Sequence, residues 1–301
     1  MVQIIEVSPR DGLQNENLSI PTLIKKKLVV DLIESGLNEI EVSSFVSPQK
    51  IPQLADASDL FREIHQIKFK KNILFSALVP NLKGLKNAFE SRVERIAVFT
   101  AVSEAFTQHN IKMSISESIH VFKEVIQVFK NSVPNGWVRG YVSTAFECPY
   151  SGLIQPKQTL KVIGQLFDIG INEVSIGDTI GVAVPKEVRA LTSLLKKEFS
   201  LKNIAYHFHD TRGTAIANVY EALEQGISRF DASAGGLGGC PYAPGAGGNL
   251  STEDLVYFLE RTGIKTGIDL KKLAKATLPI FKHLGKPVTA KNQQAILSRV
   301  K

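Results

Sequence analysis

The feature that most restricts how this chain can fold is a steady alternation of short β-branched or aromatic runs with longer stretches of helical spacing. The runs are QIIEVS (3 to 8), NEIEVSS (38 to 44), ILFSALV (73 to 79), RIAVFTA (95 to 101), WVRGYVSTA (137 to 145), NEVSIGD (172 to 178), NIAYHFHD (203 to 210) and SRFDASA (228 to 234). Each reads as a strand. Between them lie TLIKKKLVVDLIESG (22 to 36), SISESIHVFKEVIQVFKN (114 to 131) and PKEVRALTSLLKKEF (185 to 199), whose apolar residues recur at helical intervals. Glycines at 36, 170 and 226 stand just ahead of strands, where helices end on a left-handed residue. Strand, helix, strand at this spacing requires parallel pairing, and eight such units close into an α/β (β/α)8 (TIM) barrel. An open doubly wound sheet is the alternative, but no GxGxxG opens a helix after the first strand. From about residue 251 the chain reads as additional C-terminal helices packed on the barrel, TEDLVYFLERTG and DLKKLAKATLPIFKHLG, so that 1–301 forms a single domain.

Composition narrows the partners. Apolar residues make up 44% and charged residues 22%, the profile of an ordinary globular protein. Two cysteines cannot form a disulfide framework and point to a reducing compartment. Met1 lies two residues before an apolar run, leaving no room for a leader, and no run of 18 apolar residues exists; cytoplasmic residence without a membrane span is the expectation. The net charge of +7 comes from scattered Lys and Arg, with only short clusters such as KKK at 25 to 27 and KFKK at 68 to 71. Without zinc-finger spacing, an RNP-type sequence or a long basic stripe, no nucleic-acid partner is expected, whereas a small phosphorylated ligand such as coenzyme A needs only a few cations.

In a barrel the chemistry sits where strands end, and these strand ends are rich in polar side chains. The first ends in SPRDGLQNE, supplying Arg10, Asp11 and Gln14; the second carries Glu41; the sixth ends in Asp178; the seventh ends in HFHD. His207 and His209 are two apart on a strand, so both point to one face. Two imidazoles converging inside a barrel mouth suit a divalent metal, with a carboxylate such as Asp11 completing the set. Glu41 is placed to hold Arg10 by a bidentate pair. After the eighth strand comes GGLGGCPYAPGAGGN (235 to 249), seven of its residues glycine, with Cys240 in its middle and Asn249 at its end. Such a loop can cradle phosphate through backbone amides. A cysteine on it can equally act as a general acid or base delivered by loop closure.

Together, SPRDGLQNE, IEVSSFVSP, SIGDTIG, HFHD and GGLGGCPYAPGAGGNLSTEDLVY resemble the 3-hydroxy-3-methylglutaryl-CoA lyase family, in its order and over nearly the whole chain. RDGxQ with HxH alone would indicate only the wider group of metal-dependent barrel lyases and condensing synthases; the GGCPYAPGAxGN loop is narrower. The resemblance implies metal-dependent cleavage of an acyl-CoA substrate, 3-hydroxy-3-methylglutaryl-CoA, to acetyl-CoA and acetoacetate, by a homodimer. It implies Asp11, His207, His209 and Asn249 as ligands to Mg2+ or Mn2+, with Arg10, steered by Glu41, stabilising an enolate. His207 or Asp11 would take the hydroxyl proton and Cys240 would protonate the enolate carbon. Asp178, Glu253 and Gln14 match supporting positions that orient ligands and loop. At AFECPYSG (145 to 152) the chain departs from the family, with Glu147 where a small residue is expected. A condensing synthase acting on another β-hydroxy acid or thioester is the rival activity.

Overall fold

A computed structural model describes residues 2–239 and 247–298. Eight parallel strands close on themselves: β1 (Gln3–Glu6), β2 (Glu39–Ser44), β3 (Leu74–Leu78), β4 (Arg95–Ala101), β5 (Trp137–Ser143), β6 (Glu173–Asp178), β7 (Ile204–Phe208) and β8 (Arg229–Ala232). Each pairs with its chain neighbours, and β8 closes the ring on β1 in the register Ile5 to Asp231. All eight runs expected from the sequence are therefore strands. The (β/α)8 barrel follows because every crossover carries enough chain for a helix, which forces neighbouring strands to run parallel.

The helices are α1 (Thr22–Glu34), α2 (Ala57–His65), α3 (Leu82–Glu90), α4 (Glu104–Asn110), α5 (Ile115–Ser132), α6 (Pro156–Asp168), α7 (Pro185–Glu198), α8 (Ala215–Glu224), α9 (Thr252–Arg261), α10 (Leu270–Ala276), α11 (Leu278–Leu284) and α12 (Lys291–Ser298). Their starts follow local chemistry. Ser114 and Glu117 close a reciprocal capping box at α5, and proline occupies the first turn of α6 and α7. Gly36, Gly170 and Gly226 all take positive φ. In chain order α9 is the helix of the eighth unit, and α10 to α12 follow it. The stretch DLKKLAKATLPIFKHLG is two helices broken at Thr277, because Pro279 has no N–H to continue α10.

Two layers of burial result. Between strands and helices an apolar core runs through Leu28, Leu32, Phe61, Ile126, Leu166, Leu195 and Leu255. Inside the barrel the side chains are polar: Arg139, Glu41, Glu173 and Asp231 are all at most 3% exposed. Such residues are buried only when paired. Among the described residues no helix is long and apolar enough to cross a membrane.

Candidate active site

At the C-terminal ends of the strands, the turn after β1 does something the strand period could not have predicted. Residues Ser8–Gly12 form one wide helical turn in which both Asp11 and Gly12 donate their N–H to the Val7 carbonyl, at 2.8 and 3.3 Å. Adjacent side chains in a strand point to opposite faces; in this turn Arg10 and Asp11 both reach the mouth, their side chains 2.6 Å apart. Gly12 permits the turn to sit against the glycine-rich loop, since a Cβ there would lie 2.9 Å from Leu237 Cβ and from Ser233 Oγ. Gly238 does the same from the other side: its φ is +94°, and a Cβ would lie 2.6 Å from Asn249 Nδ2. Within GGLGG, then, it is Gly238 that serves close packing of loop on turn, whereas a Cβ at Gly235 would meet Phe281 at 2.7 Å.

β7 delivers His207 and His209 to the same interior face. The chain then returns as a short extended piece that bridges His209 to Asn249, with Leu250 N donating to Phe208 O at 3.0 Å. Asp11, His207 and His209 thereby offer three ligand atoms within 4.8 Å of one another. Asn249 Nδ2 donates to Asp11 Oδ2 at 2.8 Å and to Leu237 O at 3.1 Å. Its Oδ1 is buried without a hydrogen-bond partner, as is His209 Nδ1. Buried polar atoms are normally satisfied, so orphans beside a carboxylate and two imidazoles fit a divalent cation. These are the four ligands the sequence suggested. Gln14 donates to Asp11 Oδ1 at 2.7 Å, which orients that carboxylate.

Protonation suits the same reading for Asp11 and His209, while His207 favours its charged form until a cation displaces the proton. Burial would raise the Asp11 pKa, but the charges of Arg10, His207 and His209 outweigh it and bring it down to about 2. Burial, then the neighbouring His207, pulls His209 down to about 3, leaving a neutral imidazole. For His207 burial works against the charge, but the Asp231 hydrogen bond and the two carboxylates more than offset it, so its pKa is raised.

Arg10 is buried and pinned. Its Nε pairs with Glu41 Oε1, and its Nη1 donates to Asp11. Glu41 meets it through one oxygen rather than two, because Oε2 accepts from Tyr141 Oη at 3.0 Å. Asp178 and Glu253 support the loops and not the ligands, which corrects part of the expectation. The Asp178 oxygens accept the Val182 and Ala183 N–H groups, each at 3.0 Å, and burial lifts its pKa to about 6. Glu253 accepts from Gly235 N at 2.8 Å and Ser251 Oγ at 3.0 Å. Cys240 lies outside the described residues. Glu147 sits in a hairpin of two-residue strands, Glu147–Cys148 and Gly152–Leu153.

Sequence reasoning passed over Asp231, Arg139, Tyr141 and Glu6. Asp231 accepts from His207 Nδ1 at 3.1 Å, Ser175 Oγ at 2.7 Å and Arg139 Nη2 at 2.5 Å. Glu6 accepts from Ser8 N and Ala234 N, both at 2.9 Å, and from Thr252 Oγ1 at 2.7 Å, tying β1 to the loop after β8. The available signal was a charged residue in the middle of a central strand, as in WVRGYVS, where only a buried partner makes it tolerable.

Above these groups opens a cavity of about 630 Å3. Its lining includes Arg10, Asp11, His207, His209 and Asn249 and also the apolar Leu78, Phe99, Phe106, Ile111 and Met113. That combination of apolar wall and few convergent polar groups is the usual form of a small-molecule site.

Comparison with known proteins finds relatives over nearly the whole chain. The HMGL-like family model matches residues 1–279. The hydroxymethylglutaryl-CoA lyase YngG of Bacillus subtilis is 46% identical over 297 residues, covering 99% of this chain and 98% of its own. The crystal structure of hydroxymethylglutaryl-CoA lyase from Pseudomonas aeruginosa superposes with a TM-score of 0.94 at 44% identity, covering 99% and 98%. An HMG-CoA lyase from Acinetobacter baumannii in complex with coenzyme A and 3-methylmalate gives 0.90 at 36% identity, covering 98% and 95%.

Proposed function

The chain belongs to the HMGL-like family and is a carbon–carbon lyase, and from that premise we infer that it cleaves 3-hydroxy-3-methylglutaryl-CoA to acetyl-CoA and acetoacetate. The observation that carries this reading is the Asp11, His207 and His209 cluster, with the orphaned Asn249 Oδ1, beside a pinned Arg10. Mg2+ or Mn2+ held by those four side chains would polarise the substrate hydroxyl and make its proton easier to lose.

Breaking the C2–C3 bond leaves negative charge on the departing thioester as an enolate. Arg10 has Nε and Nη1 committed to Glu41 and Asp11. We assign its remaining Nη2 to the enolate oxygen, a donor fixed in advance in a buried site. The hydroxyl proton goes to Asp11, or to His207 through Nε2 when that atom is not on the metal; the facing atoms of the two lie 3.8 Å apart. The enolate carbon is then protonated by Cys240. The apolar lining of the cavity suits the substrate methyl and the pantetheine arm, and the coenzyme A-bound relative supports an acyl-CoA occupant. The same resemblance supports a homodimer, and the two cysteines support cytoplasmic residence. Light scattering on the purified protein checks the dimer.

The test is acetoacetate release from 3-hydroxy-3-methylglutaryl-CoA by metal-stripped protein, with and without added Mg2+ or Mn2+. Cleavage only with metal is expected. No cleavage at full metal loading would direct attention to another acyl substrate, first to condensation of acetyl-CoA with 2-oxo acids. Cys240→Ser should keep metal binding and lower turnover about 10²- to 10⁴-fold, the scale for losing a general acid. Near-normal turnover would remove Cys240 from the chemistry.

A further inference from the structure

A carboxylate buried at 1% exposure in mid-strand, touching one of the metal-ligand histidines, has no place in the chemistry above. We propose that Asp231 is a positioning residue of the metal centre: it keeps the His207 proton on Nδ1, so that Nε2 is left unprotonated toward Asp11, and Arg139 and Ser175 hold Asp231 to that task.

The geometry carries each part. β7 and β8 pair in a register that puts Asp231 beside His207. Oδ2 of Asp231 lies 3.1 Å from His207 Nδ1, while His207 Nε2 faces Asp11 Oδ2 at 3.8 Å. A carboxylate can only accept, so Nδ1 must donate, and a neutral ring then has its lone pair on Nε2. Ser175 also donates to Oδ2, at 2.7 Å, and Arg139 Nη2 donates to Oδ1. Arg139 is itself 2% exposed and anchored on its far side by Glu173, 3.0 Å from its Nε. Asp231 is thus clamped on both oxygens, and it cannot rotate away without leaving the buried Arg139 Nη2 and Ser175 Oγ short of an acceptor. Outer partners of this kind orient metal-binding histidines generally.

The amide variant makes a directional test. In Asp231→Asn only one atom accepts, and the Arg139 guanidinium can be satisfied only by that oxygen. The NH2 group must then face His207, forcing Nδ1 to accept and moving the ring proton to Nε2, where it blocks a metal. The proposal rests on the metal assignment above, so the probe is Mn2+ itself, titrated calorimetrically without substrate. Wild-type protein should bind, and Asp231→Asn should bind about 10- to 100-fold more weakly. Ring 15N shifts of His207 in metal-free protein at alkaline pH should show the Nδ1–H tautomer in wild type and Nε2–H in the variant. Equal Mn2+ affinity in the two proteins would overturn the role of Asp231, whereas no binding by wild type would overturn the metal assignment beneath it. Should the variant fail to fold, the wild-type spectrum alone decides: an Nε2–H tautomer would overturn the proposal.

Discussion

The barrel buries charge at both ends, but the two ends use it differently. At the floor, Glu39 receives Arg95 at 2.7 Å and Arg229 at 3.0 Å, while Glu173 faces Arg139 at 3.0 Å and also pairs with Arg229. Each carboxylate there sees two guanidiniums, so opposite charges are matched within the network even though Arg95 Nε, Arg139 Nε, Arg229 Nε and Glu173 Oε1 make no hydrogen bond. At the mouth, Asp11, His207, His209 and Asn249 converge with two polar atoms orphaned. Matched charges at the floor leave nothing for a cation to neutralise, whereas the mouth gathers a carboxylate and two imidazoles around one point, where a cation can relieve their desolvation cost. The difference separates the end that supports the fold from the end that binds, and Arg139 joins them, with one side on Glu173 and the other on Asp231.

The contrast can be broken first at the floor. Glu39→Gln leaves Arg95 and Arg229 short of one negative charge, and removing one partner of a buried pair costs about 3 to 5 kcal/mol. Because those arginines keep 17% and 19% exposure, the lower end, about 3 kcal/mol, is expected. Denaturant melts should show that loss while Mn2+ affinity stays unchanged. A fall in metal affinity with little loss of stability would mean the floor is part of the site.

At the mouth the reverse should hold. His209→Ala removes one ligand, and metal affinity and turnover should fall together by about 100-fold or more, about 2.8 kcal/mol. The metal-free protein should melt no lower than wild type, since the lost side chain carries an unsatisfied buried nitrogen. Saturating Mn2+ should raise the melting temperature of wild type and not of the variant at the same concentration. Undiminished Mn2+ affinity would remove His209 from the ligand set.

How far this division could be read from the sequence depends on the kind of signal. The strands were legible because β-branched runs repeat at helical-hairpin distances, and the histidine pair because the strand period is two. The joint reach of Arg10 and Asp11 was not, since it depends on a wide turn that only the Val7 carbonyl contacts define. Arg139 and Asp231 were visible as charges in WVRGYVS and SRFDASA, but their pairing spans 92 positions and exists only once the barrel closes. Asp178 and Glu253 were recognised by motif, and motif does not distinguish holding a ligand from holding the loop that carries one. The hairpin at Glu147 is too short for any period to announce it.

The smallest expected effect sharpens the contrast most finely. Beside the ligands, Glu6 and Glu253 are both 0% exposed, and among the described residues neither lies in an ion pair. They are held by N–H and hydroxyl donors instead, and Glu253 Oε1 has none. Burial, assisted by the nearby Glu6 charge, lifts Glu253 from an ordinary 4.5 to about 8 against the pull of its hydrogen bonds. Between those values the folded state retains a proton that the unfolded state has lost. Stability must therefore fall as pH rises from about 4.5 to about 8, and this contribution levels off above. Glu253→Gln keeps an acceptor for Gly235 N and Ser251 Oγ and removes the charge. Its melting temperature should match wild type near pH 4.5 and exceed it at pH 8. Parallel pH profiles for wild type and Glu253→Gln would mean that burial does not hold Glu253 protonated in the folded state.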